Sequence, residues 1–339
     1  MNKTCWFSVC LLLFLQACGQ PPHYTTEKYY GLSLVGTSEK LETEMLVPVL
    51  DLKANSVTLM PFAYGKLGSP DLQYKDLRWQ WWGESFKGVE ASIQTAQHAG
   101  LDVVIKPQLW LDWGSFTGDH ELESEEDWQQ FEKSYREYIL PYAELSQKYQ
   151  LPLFCIGTEL CRFTELRPDF WTQLIKDIRA VYSGKLTYAS NWDSYKRCPF
   201  WSEVDYIGLD AYFPLNDARV PEKENLNAAW IKWHNELESF AEEKGKPILF
   251  TEWGYRSVPF TAKAPWESGR SQEVDLLSQK VAYEALIERF KDEPWFAGGF
   301  VWKWYPNHTQ VGGPEDNRFT PQNKPAQEVL KEWFHQAKQ

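Results

Sequence analysis

Short apolar runs rich in β-branched and aromatic residues alternate along this chain with amphipathic stretches of helical period, and that alternation constrains the fold more than any other feature. The runs lie at 29–36, 56–62, 101–109, 151–157, 186–190, 204–209, 247–251 and 297–302. Helical patterns at 85–98, 125–149, 169–182, 225–244, 272–290 and 326–336 separate most of them. Trp128, Phe131, Tyr135 and Tyr138 carry the three-to-four spacing of a buried helix face. Ser124 ahead of Glu125, Glu126 and Asp127 reads as an N-cap with acidic residues in the first turn. Runs such as LDVVIKPQLW and LPLFCIG are apolar throughout, the pattern of strands buried on both faces of a parallel sheet. Eight such strands with about eight helices fit a closed (β/α)8 barrel better than an open doubly wound sheet. The segment after the fifth strand is too short for a full helix.

Residues 1–17 carry Lys3 and then an apolar run from Trp6 to Leu15, followed at once by Gly19, Gln20, Pro21 and Pro22. The run is too short to span a bilayer and reads as a secretory signal. Leu15-Gln16-Ala17-Cys18 resembles a bacterial lipobox, which makes Cys18 the expected lipidated residue. Residues 18–27 then form a flexible tether and 28–339 a single catalytic domain, since no low-complexity linker, charge block or composition shift marks a second one. The expected location is the bacterial cell envelope, lipid-anchored on the periplasmic side or the cell surface, with no other membrane contact. Cys155, Cys161 and Cys198 remain, an odd number that supports no paired disulfide framework. The net charge of −12 disfavours nucleic acid as a partner.

In a barrel of this kind, chemistry sits where strands end and the following loops begin. Polar residues there are Lys106, Gln108, Asp112, Thr158, Glu159, Asn191, Asp193, Asp210, Tyr212, Glu252 and Lys303. The six histidines show no H-x-H or H-E-x-x-H spacing, so zinc hydrolysis is disfavoured and no metal site is expected. G-x-S-x-G, the phosphate-binding loop and the dinucleotide turn are all missing from the sequence. Carboxylate chemistry, which needs no cofactor, remains. Glu159 in LFCIGTEL and Glu252 in PILFTEWGY end two strongly apolar strands, the fourth and seventh, on opposite sides of one barrel mouth. Glycoside hydrolysis uses such a pair, one carboxylic acid protonating the leaving oxygen and one carboxylate attacking the anomeric carbon, about 5–5.5 Å apart when configuration is retained. The competing reading makes either Glu a structural residue paired with Lys106, Lys303 or Arg256.

NSVTLMPF (55–62), VVIKPQLWL (103–111), IGTEL (156–160), DAYFPL (210–215), FTEWGY (250–255), GGFVWKWYP (298–306) and TPQNKPA (320–326) together resemble the clan A glycoside hydrolases, and within them glycoside hydrolase family 113. The resemblance implies a β-1,4-mannanase in which Glu159 is the acid/base, Glu252 the nucleophile, Tyr212 a neighbour of the nucleophile and Trp302 the sugar platform. The clan's Asn before the acid/base is here Thr158, so Asn191 or Gln108 becomes a candidate for the sugar 2-hydroxyl. Lys106 and Asp210 either bind substrate or form a buried ion pair that orients the site.

Of the 18 Trp, Trp6 falls in the signal. Trp79, Trp81, Trp82, Trp110, Trp113, Trp192, Trp253, Trp302 and Trp304 follow strands and are candidate sugar platforms, with Trp110 and Trp253 placed among the substrate contacts. Trp128, Trp171, Trp201, Trp230, Trp233, Trp266, Trp295 and Trp333 lie on helices or flanking turns and read as core. The expected protein is a monomeric, retaining endo-β-1,4-mannanase acting on a β-linked mannan-type glycan. The rivals are an exo-acting β-mannosidase or another clan A β-glycanase, and a non-catalytic glycan-binding lipoprotein.

Overall fold

A computed structural model describes Tyr24 and residues 27–75, 77–112, 114–268 and 272–336. The expected signal, Cys18 and Trp113 lie outside the described residues. Eight strands are present: β1 (Tyr29–Leu34), β2 (Ser56–Leu59), β3 (Asp102–Ile105), β4 (Leu153–Thr158), β5 (Lys185–Asn191), β6 (Tyr206–Asp210), β7 (Ile248–Trp253) and β8 (Phe296–Trp304). Each pairs in parallel with its neighbours and β8 closes on β1, giving the (β/α)8 barrel. Helices α1 (Phe86–His98), α2 (Glu125–Lys148), α3 (Pro168–Val181), α4 (Lys223–Lys244), α5 (Leu276–Phe290) and α6 (Pro325–Gln336) cover it. After β1 stand only a turn and the short helix Val47–Asp51, and after β5 only the turns Tyr195–Arg197 and Trp201–Glu203.

Two runs read as single strands are broken in the fold. The ladder stops at Met60-Pro61 and Lys106-Pro107 and resumes as a separate parallel pair, Phe62–Gly65 with Gln108–Leu111. Proline has no N–H for a ladder, and here its carbonyls serve other donors: the Tyr138 hydroxyl donates to Pro61 O (2.8 Å) and the Thr158 hydroxyl to Pro107 O (3.0 Å). The caps follow the local sequence. Ser124 Oγ accepts the Asp127 N–H at 3.1 Å, and α4 ends on Gly245 at φ 64°, a left-handed turn that costs glycine little.

Side chains from alternate strand positions divide into two cores. Tyr29, Val104, Leu153, Tyr206, Leu249, Ala297 and Phe300 fill the barrel interior. A larger cluster lies between strands and helices, where Trp171 is fully buried against Phe200 (5.2 Å, 22°), Phe163 and Tyr188. Cys155, Cys161 and Cys198 are buried free thiols. Among the described residues no helix is long and apolar enough to cross a membrane.

Candidate active site

Both glutamates reach the barrel mouth through local irregularities. In β7 the pairing with β6 runs Leu209 to Phe250 and then Asp210 to Glu252, a one-residue slip. The slip places Thr251 against Asp210 and still turns Glu252 into the cavity. Trp253 then falls on the helix side, fully buried against Tyr283 (5.0 Å) and Trp333 (6.0 Å). The expectation that Trp253 touches substrate is therefore corrected. Glu159 follows β4 with φ 52°, a left-handed conformation unusual for a residue with a β-carbon. Its N–H donates to Ala189 O at 2.8 Å, and the next N–H, of Leu160, donates to the Tyr188 hydroxyl at 2.7 Å.

The two carboxyls share a cavity of about 520 Å³, lined also by Asn191, Trp192, Tyr212, Trp266 and Trp302. Their surroundings differ in kind. Glu252 Oε1 accepts from Lys106 Nζ (2.5 Å) and Gln108 Nε2 (3.2 Å), and its Oε2 from the Tyr212 hydroxyl (3.0 Å). Three donors around one carboxylate favour its ionised form. The Glu159 carboxyl is held well above the usual carboxylate range, first by burial and then by the charges of Asp210 and Glu252. Two glutamates kept apart in this way suit different halves of an acid–nucleophile pair.

Beneath Glu252, Lys106 Nζ also meets both Asp210 oxygens at 3.0 and 3.2 Å, and the Thr251 hydroxyl donates to Asp210 Oδ1 at 2.7 Å. Burial alone would lower the Lys106 ammonium, but Asp210 and Glu252 raise it above its ordinary value. Burial and the Glu252 charge push Asp210 up to about 7, against the opposing pull of Lys106. Lys106 and Asp210 are thus the buried ion pair of the two readings, and their expected place as substrate contacts is corrected. Thr158 is corrected likewise: it is buried with its hydroxyl on Pro107 O, turned away from the cavity. Asn191 takes the Trp192 N–H on Oδ1 (3.0 Å) and lines the cavity, so its amide NH2 is the better placed donor to a sugar. Asp193 lines the same cavity. Asp112 accepts the Leu67 N–H at 3.1 Å and stabilises a turn.

The aromatic residues sort differently from their positions in sequence. Trp304 is fully buried and stacked on His308 (5.3 Å, 10°), so it offers no platform. Trp266, read as core, is exposed and stacked on Trp192 (5.2 Å, 22°) at the cavity edge. Phe116 and Phe319 line the cavity as well and are not among the residues the sequence singles out. A usable signal for Trp266 was its place in a proline- and glycine-containing loop directly after the strand that delivers Glu252. Phe319 packs on Tyr212 (6.0 Å) from a loop held by buried Lys324, which donates to Ser257 Oγ (2.9 Å), Asp316 Oδ1 (2.8 Å) and Arg318 O (2.9 Å). Trp110, Trp79 and Trp81 line a neighbouring cavity of about 410 Å³ that shares Trp302 with the first. Among the described residues no cluster of three or more His, Cys, Asp or Glu side chains is arranged to hold a metal ion.

Comparison with known proteins agrees with this geometry. The structure of the GH113 β-mannanase AaManA from Alicyclobacillus acidocaldarius, in complex with ManMIm, superposes with a TM-score of 0.79 at 25% identity, covering 93% of this chain and 99% of that one. A second structure, described as a GH113 β-1,4-mannanase, gives 0.78 at 21% identity, covering 91% and 99%. A β-glucuronidase of Faecalibacterium prausnitzii shares the fold at a TM-score of 0.61 and 15% identity, with 91% of this chain matching 49% of that one. No curated protein sequence matches the chain. The family model described as Glycoside Hydrolase Family 113 matches residues 44–335. The chain belongs to glycoside hydrolase family 113 and is a glycosidase.

Proposed function

We propose that the protein is a retaining endo-β-1,4-mannanase working by double displacement. The observation that carries this reading is the unequal treatment of two glutamates in one aromatic cavity. Glu252, held by Lys106, Gln108 and Tyr212, attacks the anomeric carbon of a sugar seated on Trp302 and forms a glycosyl–enzyme ester. Glu159, kept protonated by burial and by two nearby negative charges, gives its proton to the departing glycosidic oxygen. It then takes a proton from the water that hydrolyses the ester. Asn191 supplies an amide donor to the sugar hydroxyls beside the bond. Family membership and the likeness to β-mannanase structures support mannan as the glycan. A cavity that continues past Trp302 supports attack within chains. The signal-like residues 1–17 and Leu15-Gln16-Ala17-Cys18 support a lipid-anchored monomer on a bacterial envelope.

The test is Glu252→Ala assayed on an aryl β-mannoside. Turnover should fall to background, and added azide should restore release of the phenol with formation of the α-glycosyl azide, because azide enters from the face that Glu252 vacates. Undiminished turnover without azide would remove Glu252 from the mechanism. Product profiles of the unaltered protein on mannan, glucan and galactan oligosaccharides identify the sugar.

A further inference from the structure

The cavity holding Glu159 and Glu252 meets a second one at Trp302, and neither glutamate lines this arm. Trp79, Trp81 and Trp110 form its aromatic wall, and all three are exposed. Large aromatic faces gathered in the open beside a cavity mark a binding surface more often than a packing accident. The wall is anchored. The Trp79 ring meets Tyr64 edge-on at 4.5 Å, and the Tyr64 hydroxyl donates to Glu84 Oε2 at 2.7 Å.

Two opposite charges face the same space, Glu84 and Lys303. Glu84 Oε1 takes no hydrogen bond among the described residues, and burial raises the Glu84 carboxyl while Tyr64 and Lys303 oppose that rise. The Lys303 ammonium lies over the rings of Trp302 (5.1 Å) and Tyr305 (5.6 Å), and makes no hydrogen bond or ion pair among the described residues. An ionised carboxylate only accepts and an ammonium only donates. Side by side they match a vicinal diol, one hydroxyl donating to Glu84 and its neighbour accepting from Lys303. An acidic sugar would bring a second negative charge beside Glu84, so the pair suits a neutral pyranose.

We propose that this arm is a subsite for a neutral pyranose on the non-reducing side of the sugar being cleaved, stacked on the tryptophan wall and read through its vicinal hydroxyls by Glu84 and Lys303. The assignment rests on the reading that the bond breaks between Glu159 and Glu252. Glu159 protonates the leaving group, so the departing part of the glycan lies in the Glu159 cavity with Trp192 and Trp266. Trp302 carries the attacked unit, and the arm beyond it receives the preceding unit. The shortest fragment released from a non-reducing end is then a disaccharide.

Trp81→Ala and Glu84→Gln, in the full chain, test this. The measurement is kcat/KM on a β-1,4-mannohexaose against kcat/KM on an aryl β-mannoside, which does not fill the arm, together with the products of the hexaose. The ratio of the two constants should fall about tenfold or more in each variant, and the cleavage position should shift. Equal losses on both substrates, or no loss on the hexaose, overturn the subsite. An unaltered protein that ignores both mannosides but cuts a glucan or galactan series sinks the mannan reading instead, and the same ratio is then taken on that series. A chain that cuts none of the three overturns both.

Discussion

Asp210→Asn probes the charge arrangement under Glu252 with a single isosteric change. Asp210 is fully buried, and its carboxyl is raised from an ordinary value of 3.8 to about 7 by burial and by the Glu252 charge, with Lys106 pulling the other way. In the unfolded chain the same group ionises at its ordinary value. Between roughly pH 4 and 7 the folded protein therefore keeps a proton that the unfolded chain has released, and stability falls as pH rises through that window. A one-proton difference corresponds to about 1.4 kcal/mol per pH unit, which accumulates across the window to about 4 kcal/mol by pH 7. Asparagine cannot titrate, yet its Oδ1 still accepts from Lys106 and from the Thr251 hydroxyl, so the geometry is kept. Urea unfolding in half-unit steps from roughly pH 4.5 to 7 measures the effect. The stability of the unaltered protein minus that of Asp210→Asn should decline with a slope of about 1.4 kcal/mol per pH unit. Parallel curves would refute the argument. A second readout is kinetic: the Asp210 charge is one of the causes holding the Glu159 carboxyl up, so the alkaline limb of the pH–rate profile should move to lower pH in the variant. A limb that stays in place breaks the electrostatic link between the two residues.

Three further outcomes are expected. Tyr212→Phe removes one of the three donors on Glu252; loss of a hydrogen bond to a charged group, about 1.5–3 kcal/mol, should lower kcat/KM roughly 10- to 100-fold, and a change under threefold would make that contact incidental. Trp171→Ala empties a fully buried position ringed by Tyr135, Phe163, Tyr188 and Phe200; denaturant unfolding should register a loss of about 3–5 kcal/mol, and a loss below about 1 kcal/mol would contradict the packing described. Cys18→Ala should move the protein from the membrane to the soluble fraction of producing cells, and equal partitioning of both forms would rule out lipidation at Cys18.

Much of the architecture is legible in the chain because it depends on local pattern. Strand and helix periodicity mark all eight barrel strands and six helices, and Ser124 caps α2 where its polar side chain precedes three acidic residues. Glu159 and Glu252 stand out for the same reason: each is a charge set at the end of an apolar run. The substrate contacts are less legible. Trp253 adjoins Glu252 yet faces α5 and α6, because a one-residue slip between β6 and β7 decides which of the two points inward. Thr158 precedes Glu159 yet turns its hydroxyl to a proline carbonyl from a broken strand. Trp266 sits in a loop whose path no periodicity describes.

Alternation and burial pattern are written residue by residue, and they suffice for a closed parallel barrel with two strand-end carboxyls. How those carboxyls differ is settled by groups far away in the chain. Lys106 reaches Asp210 and Glu252 across 104 and 146 residues, and the negative charges that keep Glu159 protonated come from two other strands. Which tryptophans face a glycan is settled in the same way, because a ring's direction follows from strand register and loop path. Both are properties of the closed barrel, and no short window of residues contains them.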